Sequence, residues 1–195
     1  MFSVAATPPW SLWDGKDYKN MSDQDEAKFR MIEYHKWKFK AKIFSPLAPL
    51  TVKRTPVLMT RVEYGFLGSY NKYKKSPFET FYMGGDGMSG YSSTYATETI
   101  GLRGYENGSI AGNGGYNSYG YAYSRLSMEL RYPFLLEPSS TIYGLVFVEA
   151  GNAWRDLKDF NPFQLKRSAG VGVRIFLPML SLIHISEPTR LGMIS

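Results

Sequence analysis

A chain of 195 residues, 44% hydrophobic and 21% charged, is long enough for one domain with its own core, and this composition excludes an intrinsically disordered protein. Its net charge of +6 is spread along alternating segments instead of gathered in one patch, which argues against nucleic acid as a partner. With no cysteine there is neither a disulfide framework nor a thiolate metal site, and no run of about 18 apolar residues offers a transmembrane helix.

The first ten residues carry no basic segment ahead of their apolar run, and Pro8 and Pro9 interrupt it, so they do not read as a secretory signal. Phe2 to Ala6 reads as the end of a strand, followed by a Thr7-Pro8-Pro9-Trp10 turn, because proline has no N–H for a sheet ladder. Asp14 to Lys28 is a polar connection. From Phe29 to Phe44 the period becomes two, with Lys36, Lys38, Lys40 and Lys42 on one face and His35, Trp37, Phe39, Ala41 and Ile43 on the other. The lysine face reads as solvated, not as a substrate track. Ser45-Pro46-Leu47-Ala48-Pro49 ends this strand. A second long strand, Pro56 to Tyr70, sets Arg61, Glu63 and Gly65 against Val62, Tyr64 and Phe66.

The connection over residues 69–118 is far longer than those that usually join neighbouring strands. Phe78, Phe81, Tyr82, Tyr91, Tyr95 and Tyr105 give it apolar surface that a disordered tract would lack, so it reads as a packed insert, organised around Thr97 to Gly108. Then Tyr119 to Phe134 alternates, with Arg125, Ser127, Glu129 and Arg131 opposite Leu126, Met128, Leu130 and Tyr132; Pro133 and a Glu137-Pro138-Ser139-Ser140 turn close it. Thr141 to Trp154 places Phe147, Glu149 and Gly151 on one face and Gly144, Val146, Val148 and Ala150 on the other. After a polar loop, Lys166 to Phe176 sets Ser168, Gly170, Gly172 and Arg174 against Ala169, Val171, Val173 and Ile175. Five full strands and a partial sixth result, an all-β antiparallel chain.

A soluble β-sandwich binding domain shows the same alternation. Two features point instead to a transmembrane barrel. The strands run to about 10–16 residues where globular ones average about 5–6, and a tilted membrane strand needs about 9–11. Tyr34, Tyr70, Tyr119, Tyr121, Tyr132, Phe134, Tyr143 and Trp154 also gather near strand ends, where aromatic girdles lie, and short Pro-rich turns alternate with long polar loops. Glu129 and Glu149 fall on the polar faces of neighbouring strands and make an acidic spot that calls for a cation. Arg103 offers a planar fork able to bridge two carboxylates; three solvated, unpaired charges are the alternative.

Phe78-Glu-Thr-Phe-Tyr-Met-Gly-Gly85, Leu102-Arg-Gly-Tyr105, Val146-Phe-Val-Glu-Ala-Gly-Asn-Ala-Trp154 and Ser168-Ala-Gly-Val-Gly-Val-Arg174 together resemble, in order and spacing, the signature blocks of BamA-type outer-membrane assembly factors of the bacterial surface-antigen family. The resemblance implies part of a transmembrane antiparallel β-barrel, about six strands of a barrel of about sixteen, spanning its ninth to fourteenth strands. It implies a bacterial outer-membrane protein that inserts other outer-membrane proteins without enzymatic chemistry or cofactors. Its partners would be the lipid bilayer, unfolded outer-membrane protein clients and accessory lipoproteins of an assembly complex. The related two-partner secretion transporters, which pass an unfolded polypeptide through the lumen, are the alternative. The resemblance further implies a loop lock, in which Arg103, flanked by Gly104 and Tyr105, folds into the lumen against Glu149 and Glu129. Phe147, Gly151, Gly170 and Gly172 belong to its structural motif.

Residues 1–179 thus read as the barrel domain. Residues 180–195 resemble a translated sequencing adapter joined in frame and are set outside the fold, with His184 not counted as a ligand. With no signal and no periplasmic POTRA domains ahead of it, the chain reads as an internal fragment. Gly85-Asp-Gly-Met-Ser-Gly90 fits the dinucleotide string G-x-G-x-x-G but opens no amphipathic helix, so turn flexibility explains it. No G-x-S-x-G occurs, and His35 beside Trp37 has no partners for a triad or a metal site, so no catalytic constellation emerges.

Overall fold

The computed structural model describes residues 1–22, 25–49, 54–85, 98–110, 119–137, 140–177 and 180–191. Its strands are β1 (Phe2–Ala6), β2 (His35–Pro46), β3 (Val57–Gly68), β4 (Phe81–Met83), β5 (Glu98–Ile100), β6 (Ala122–Glu137), β7 (Ser140–Trp154), β8 (Lys166–Leu177) and β9 (Leu180–Leu191). Seven of them form one antiparallel sheet in the order β1-β2-β3-β6-β7-β8-β9, and β4 and β5 form a small parallel pair within the insert. The large sheet is open, with β1 and β9 at its edges. No described helix is long and apolar enough to cross a membrane, which says nothing of strands.

The strands follow the alternation, with shifts at their ends. β2 starts at His35 instead of Phe29 because the good helix formers of Glu26–Phe29 close a single helical turn, α2, much as Trp10–Trp13 forms α1. Thr7 then closes the connection, its N–H donating to the Tyr34 carbonyl at 3.0 Å and its hydroxyl accepting from the Tyr34 N–H at 2.8 Å. Pro133 does not end β6; the strand runs on to Glu137, and a register shift between Pro133 and Leu135 absorbs the missing donor. The β6–β7 turn contains residues 138–139, which lie outside the described residues. The segment set apart by the sequence also differs, since Leu180–Leu191 pairs with β8 from Arg167↔Leu191 to Leu177↔Leu180. The free β8 edge offers unpaired N–H and C=O groups to any extended segment, whatever its side chains.

The two faces are inverted relative to a protein in water. Trp37, Phe39, Ile43, Leu126, Met128, Leu130, Val146, Val148, Val171 and Val173 form one exposed apolar face. The opposite face buries Glu63, Ser127, Glu129, Glu149 and Ser168. Leaving an apolar side chain of this size fully in water costs about 1.5–3 kcal/mol, so ten at roughly half exposure forgo on the order of 10 kcal/mol, a whole domain's stability. Tyr70, Tyr119, Tyr132 and Phe134 stand exposed near strand ends as a girdle requires. Tyr121 and Trp154 do not belong to it. The Tyr121 hydroxyl donates to the Ser76 carbonyl at 3.0 Å, and buried Trp154 stacks edge-on against Phe160 at 4.7 Å.

The apolar face predicts that the chain elutes from size exclusion as a monomer only in detergent. A cooperatively melting, detergent-free monomer would contradict a membrane-facing sheet.

Candidate functional site

The insert between β3 and β6 lies on the polar face. Its β4 joins the wall through Phe81 and Gly120, which exchange backbone hydrogen bonds at 2.9 and 2.7 Å. Phe81, Met83, Ile100, Leu102 and Ile110 of the insert bury themselves against Leu67, Tyr123 and Ala153 of the strands. Wall glycines make the seats. A Cβ on Gly65 would lie 2.2 Å from the Tyr123 ring and 2.8 Å from the Phe81 ring, and one on Gly151 would lie 2.4 Å from the Met83 methyl. Thus Gly151, placed by sequence in a structural motif, is the hollow that receives Met83. Tyr91 and Tyr95 and most of the Gly85–Gly90 string lie outside the described residues.

At the tip, Leu102 is fully buried, and Gly104, at φ 85°, turns the chain so that its neighbours reach different strands. Arg103 Nη2 lies 2.6 Å from Glu129 Oε1 and 2.7 Å from Glu149 Oε1, and the Arg103 backbone N–H donates to Glu149 Oε2 at 3.0 Å. The guanidinium carbon sits 3.6 Å above the centre of the Phe147 ring, a cation–π stack. In the β7–β8 register Gly170 faces Phe147 and Gly172 faces Leu145, so β8 presents no side chain beside either. The Tyr105 hydroxyl donates to the Arg167 carbonyl of β8 at 2.8 Å. Arg103, Gly104, Tyr105, Glu129, Glu149 and Phe147 therefore meet at one place. The arginine does not use its fork, however. One nitrogen, Nη2, serves both acids, while the buried Nη1 has no hydrogen-bond partner.

Sequence reasoning missed the rest of this network. Glu149, fully buried, also accepts from Arg125 Nη2 and Ser127 Oγ at 3.0 Å each. Glu129 accepts from Arg131 Nε at 3.0 Å and Nη2 at 2.6 Å, with Arg174 Nη2 at 3.5 Å. Arg125 reaches Glu63 at 3.6 Å as well. The two acids thus do not wait for an incoming cation; wall arginines already hold them, and Arg103 adds to a formed network. The signal was legible in the alternation of β6, which puts Arg125, Ser127, Glu129 and Arg131 in a row. Burial works against charge on Arg103, but the bonds and charges of Glu149 and Glu129 outweigh it and raise its pKa.

The lysine face of β2 is a solvated surface only at Lys42, which is exposed; the other three lysines are engaged by the insert. Lys36 is buried, 3.0 Å from Glu79 and 3.3 Å from Glu98, and Lys38 and Lys40 contact Glu98 at 2.9 and 3.1 Å. Burial disfavours a charged Glu98, yet hydrogen bonds from Lys38 and Lys40 and the nearby charges hold its pKa down to about 2.

The family profile of the Omp85 superfamily domain matches residues 27–185. No curated protein matches the chain.

Two outcomes test this geometry in the gene product held in outer-membrane vesicles. Arg103→Ala leaves each acid a wall arginine and should weaken insert docking by about 1–3 kcal/mol. Arg103→Glu adds a third carboxylate to two buried ones and should cost about 3–5 kcal/mol, seen as rapid protease cleavage of the insert. Equal cleavage of Arg103→Glu and wild type would show that Arg103 does not hold it. Because the Glu98 pKa is lower in the folded protein, its contribution is complete above the ordinary carboxylate value of 4.5 and is lost as pH falls through about 2. Pepsin, active at both values, should accordingly spare the Glu98 region at about pH 4 and cut it near pH 2; equal cleavage at the two would contradict that pairing.

Proposed function

Because the chain belongs to the Omp85 superfamily, whose members are bacterial outer-membrane proteins acting in protein insertion or secretion, we propose that it is barrel sequence of an assembly factor that folds and inserts other outer-membrane proteins. The observation that carries this reading is the filled polar face. The insert buries Phe81, Met83 and Leu102 against the strands and ties Arg103 to Glu129 and Glu149, which suits a plugged barrel better than an open conduit.

In this reading no bond of the client is made or broken. The barrel works through surfaces: a strand edge that templates client strands by backbone hydrogen bonding, and an apolar exterior seated in the bilayer. Edge templating suits a client whose own strands cannot enter the hydrocarbon region with unpaired backbone groups. Unfolded outer-membrane proteins, the bilayer and accessory lipoproteins of an assembly complex are its partners.

Depletion of the gene product in its host tests the assignment. The expected result is a broad loss of heat-modifiable outer-membrane barrels, with their unfolded forms accumulating in the periplasm. Normal barrels together with loss of a single secreted polypeptide would assign the protein to transport instead.

A further inference from the structure

We propose that Glu98 is a second anchor for the insert, seated among Lys36, Lys38 and Lys40 of β2, and that this anchor and the Arg103 site, being opposite in charge, fix which way the insert lies across the lumen. In the sheet order β2-β3-β6-β7, the lysine row and Glu149 are separated by two intervening strands. Their ligands on the insert, Glu98 and Arg103, are only five positions apart (103 − 98). A short segment therefore carries one charge for each wall.

Both oxygens of Glu98 are engaged: Oε2 by Lys38 at 2.9 Å and Lys36 at 3.3 Å, and Oε1 by Lys40 at 3.1 Å. Alternate positions of one strand share a face, so these three ammonium groups would repel one another without an acid between them. Lys36 is secured further by Glu79 at 3.0 Å and by the Phe81 ring, whose centre lies 4.8 Å from Nζ. Glu79 holds this place with φ at 65°, a left-handed conformation that costs a residue with a side chain. The anchor is rigidly joined to the body of the insert. Glu98 donates its backbone N–H to the Thr80 carbonyl at 3.1 Å, and β5 pairs with β4 from Phe81↔Glu98 to Met83↔Ile100.

Opposite signs make the two seats non-interchangeable. Glu98 placed at the β6–β7 wall would add a carboxylate beside Glu129 and Glu149, whose arginines are already engaged, and would forfeit its three lysines. Arg103 placed at β2 would meet the lysine row, like charges in a partly buried setting. The inverted lie of the insert is thus excluded by repulsion, while the glycine seats shape the correct one. This inference rests on the insert lying inside the barrel, and it holds whether the protein inserts clients or secretes them.

The chain has no cysteine, so single introduced thiols report each anchor separately. Thr80→Cys marks the β2 side and Leu102→Cys the Arg103 side; both positions are fully buried. In the gene product in outer-membrane vesicles, maleimide labelling of Thr80→Cys should rise at least about tenfold on adding Glu98→Lys, and the triple change Glu98→Lys, Lys38→Glu, Lys40→Glu should restore slow labelling. Arg103→Glu should expose Leu102→Cys first. Heat-modifiable migration identifies folded barrels, and if Glu98→Lys does not fold, Glu98→Gln, which keeps the shape and removes the charge, decides the matter. Wild-type labelling rates at Thr80→Cys in the folded Glu98 variant would overturn the second anchor, as would failure of the charge-reversed triple variant to slow the labelling. A depletion phenotype of secretion alone would refute the assembly reading and leave the anchor standing.

Discussion

A sheet that turns its apolar side chains to the bilayer keeps its polar ones on the inner face, and where the insert covers that face and excludes water those groups must neutralise one another. Everything on the polar face of this protein follows from that constraint. Three carboxylates, Glu63, Glu129 and Glu149, and the guanidinium groups of Arg125, Arg131 and Arg174 share the inner sides of neighbouring strands. Strand pairing brings them within contact, and the low exposure of Glu129 and Glu149 makes each interaction stronger than at an open surface. The lysine row of β2 meets the same constraint differently. It has no acid on its own strand and takes two, Glu79 and Glu98, from the insert.

The insert is therefore a working part of the barrel's charge balance. It supplies an acid where the wall is basic and a cation where the wall is already nearly balanced. Those two roles are unequal. Removing Glu98 leaves Lys38 and Lys40 without that carboxylate, whereas removing Arg103 leaves Glu129 and Glu149 with partners on their own sheet. The stack of Arg103 on Phe147 and the backbone N–H bond to Glu149 indicate that the arginine's larger contribution is position. Shape completes the docking, since Gly65 and Gly151 open hollows for the ring of Phe81 and the methyl of Met83. A plug held by several distributed contacts of this kind comes free only when they are released together.

The long strands, their inner and outer faces and the insert were all readable from residue order, because side chains on a strand alternate with period two and need no partner to reveal it. Alternation also set Glu129 and Glu149 on neighbouring inner faces, and the resemblance of the Leu102-Arg-Gly-Tyr105 block pointed to Arg103 as their partner. Local chemistry blurred the ends, where the helical turn Glu26–Phe29 delays the strand expected from Phe29 and a register shift carries β6 past Pro133, and the pairing of Leu180–Leu191 with β8 was not foreseen. What residue order did not determine was partnership. Alternation says that Lys36, Lys38 and Lys40 face inward but not that a carboxylate some sixty positions away will descend on them. Nor does it say that Arg131 will take one oxygen of Glu129 and leave the other to Arg103, or that Tyr121 turns from the rim to Ser76 of the insert and Trp154 to Phe160 of the β7–β8 loop. Periodicity is a property of the backbone and is written locally, whereas pairing depends on distances between segments that only the folded insert brings together.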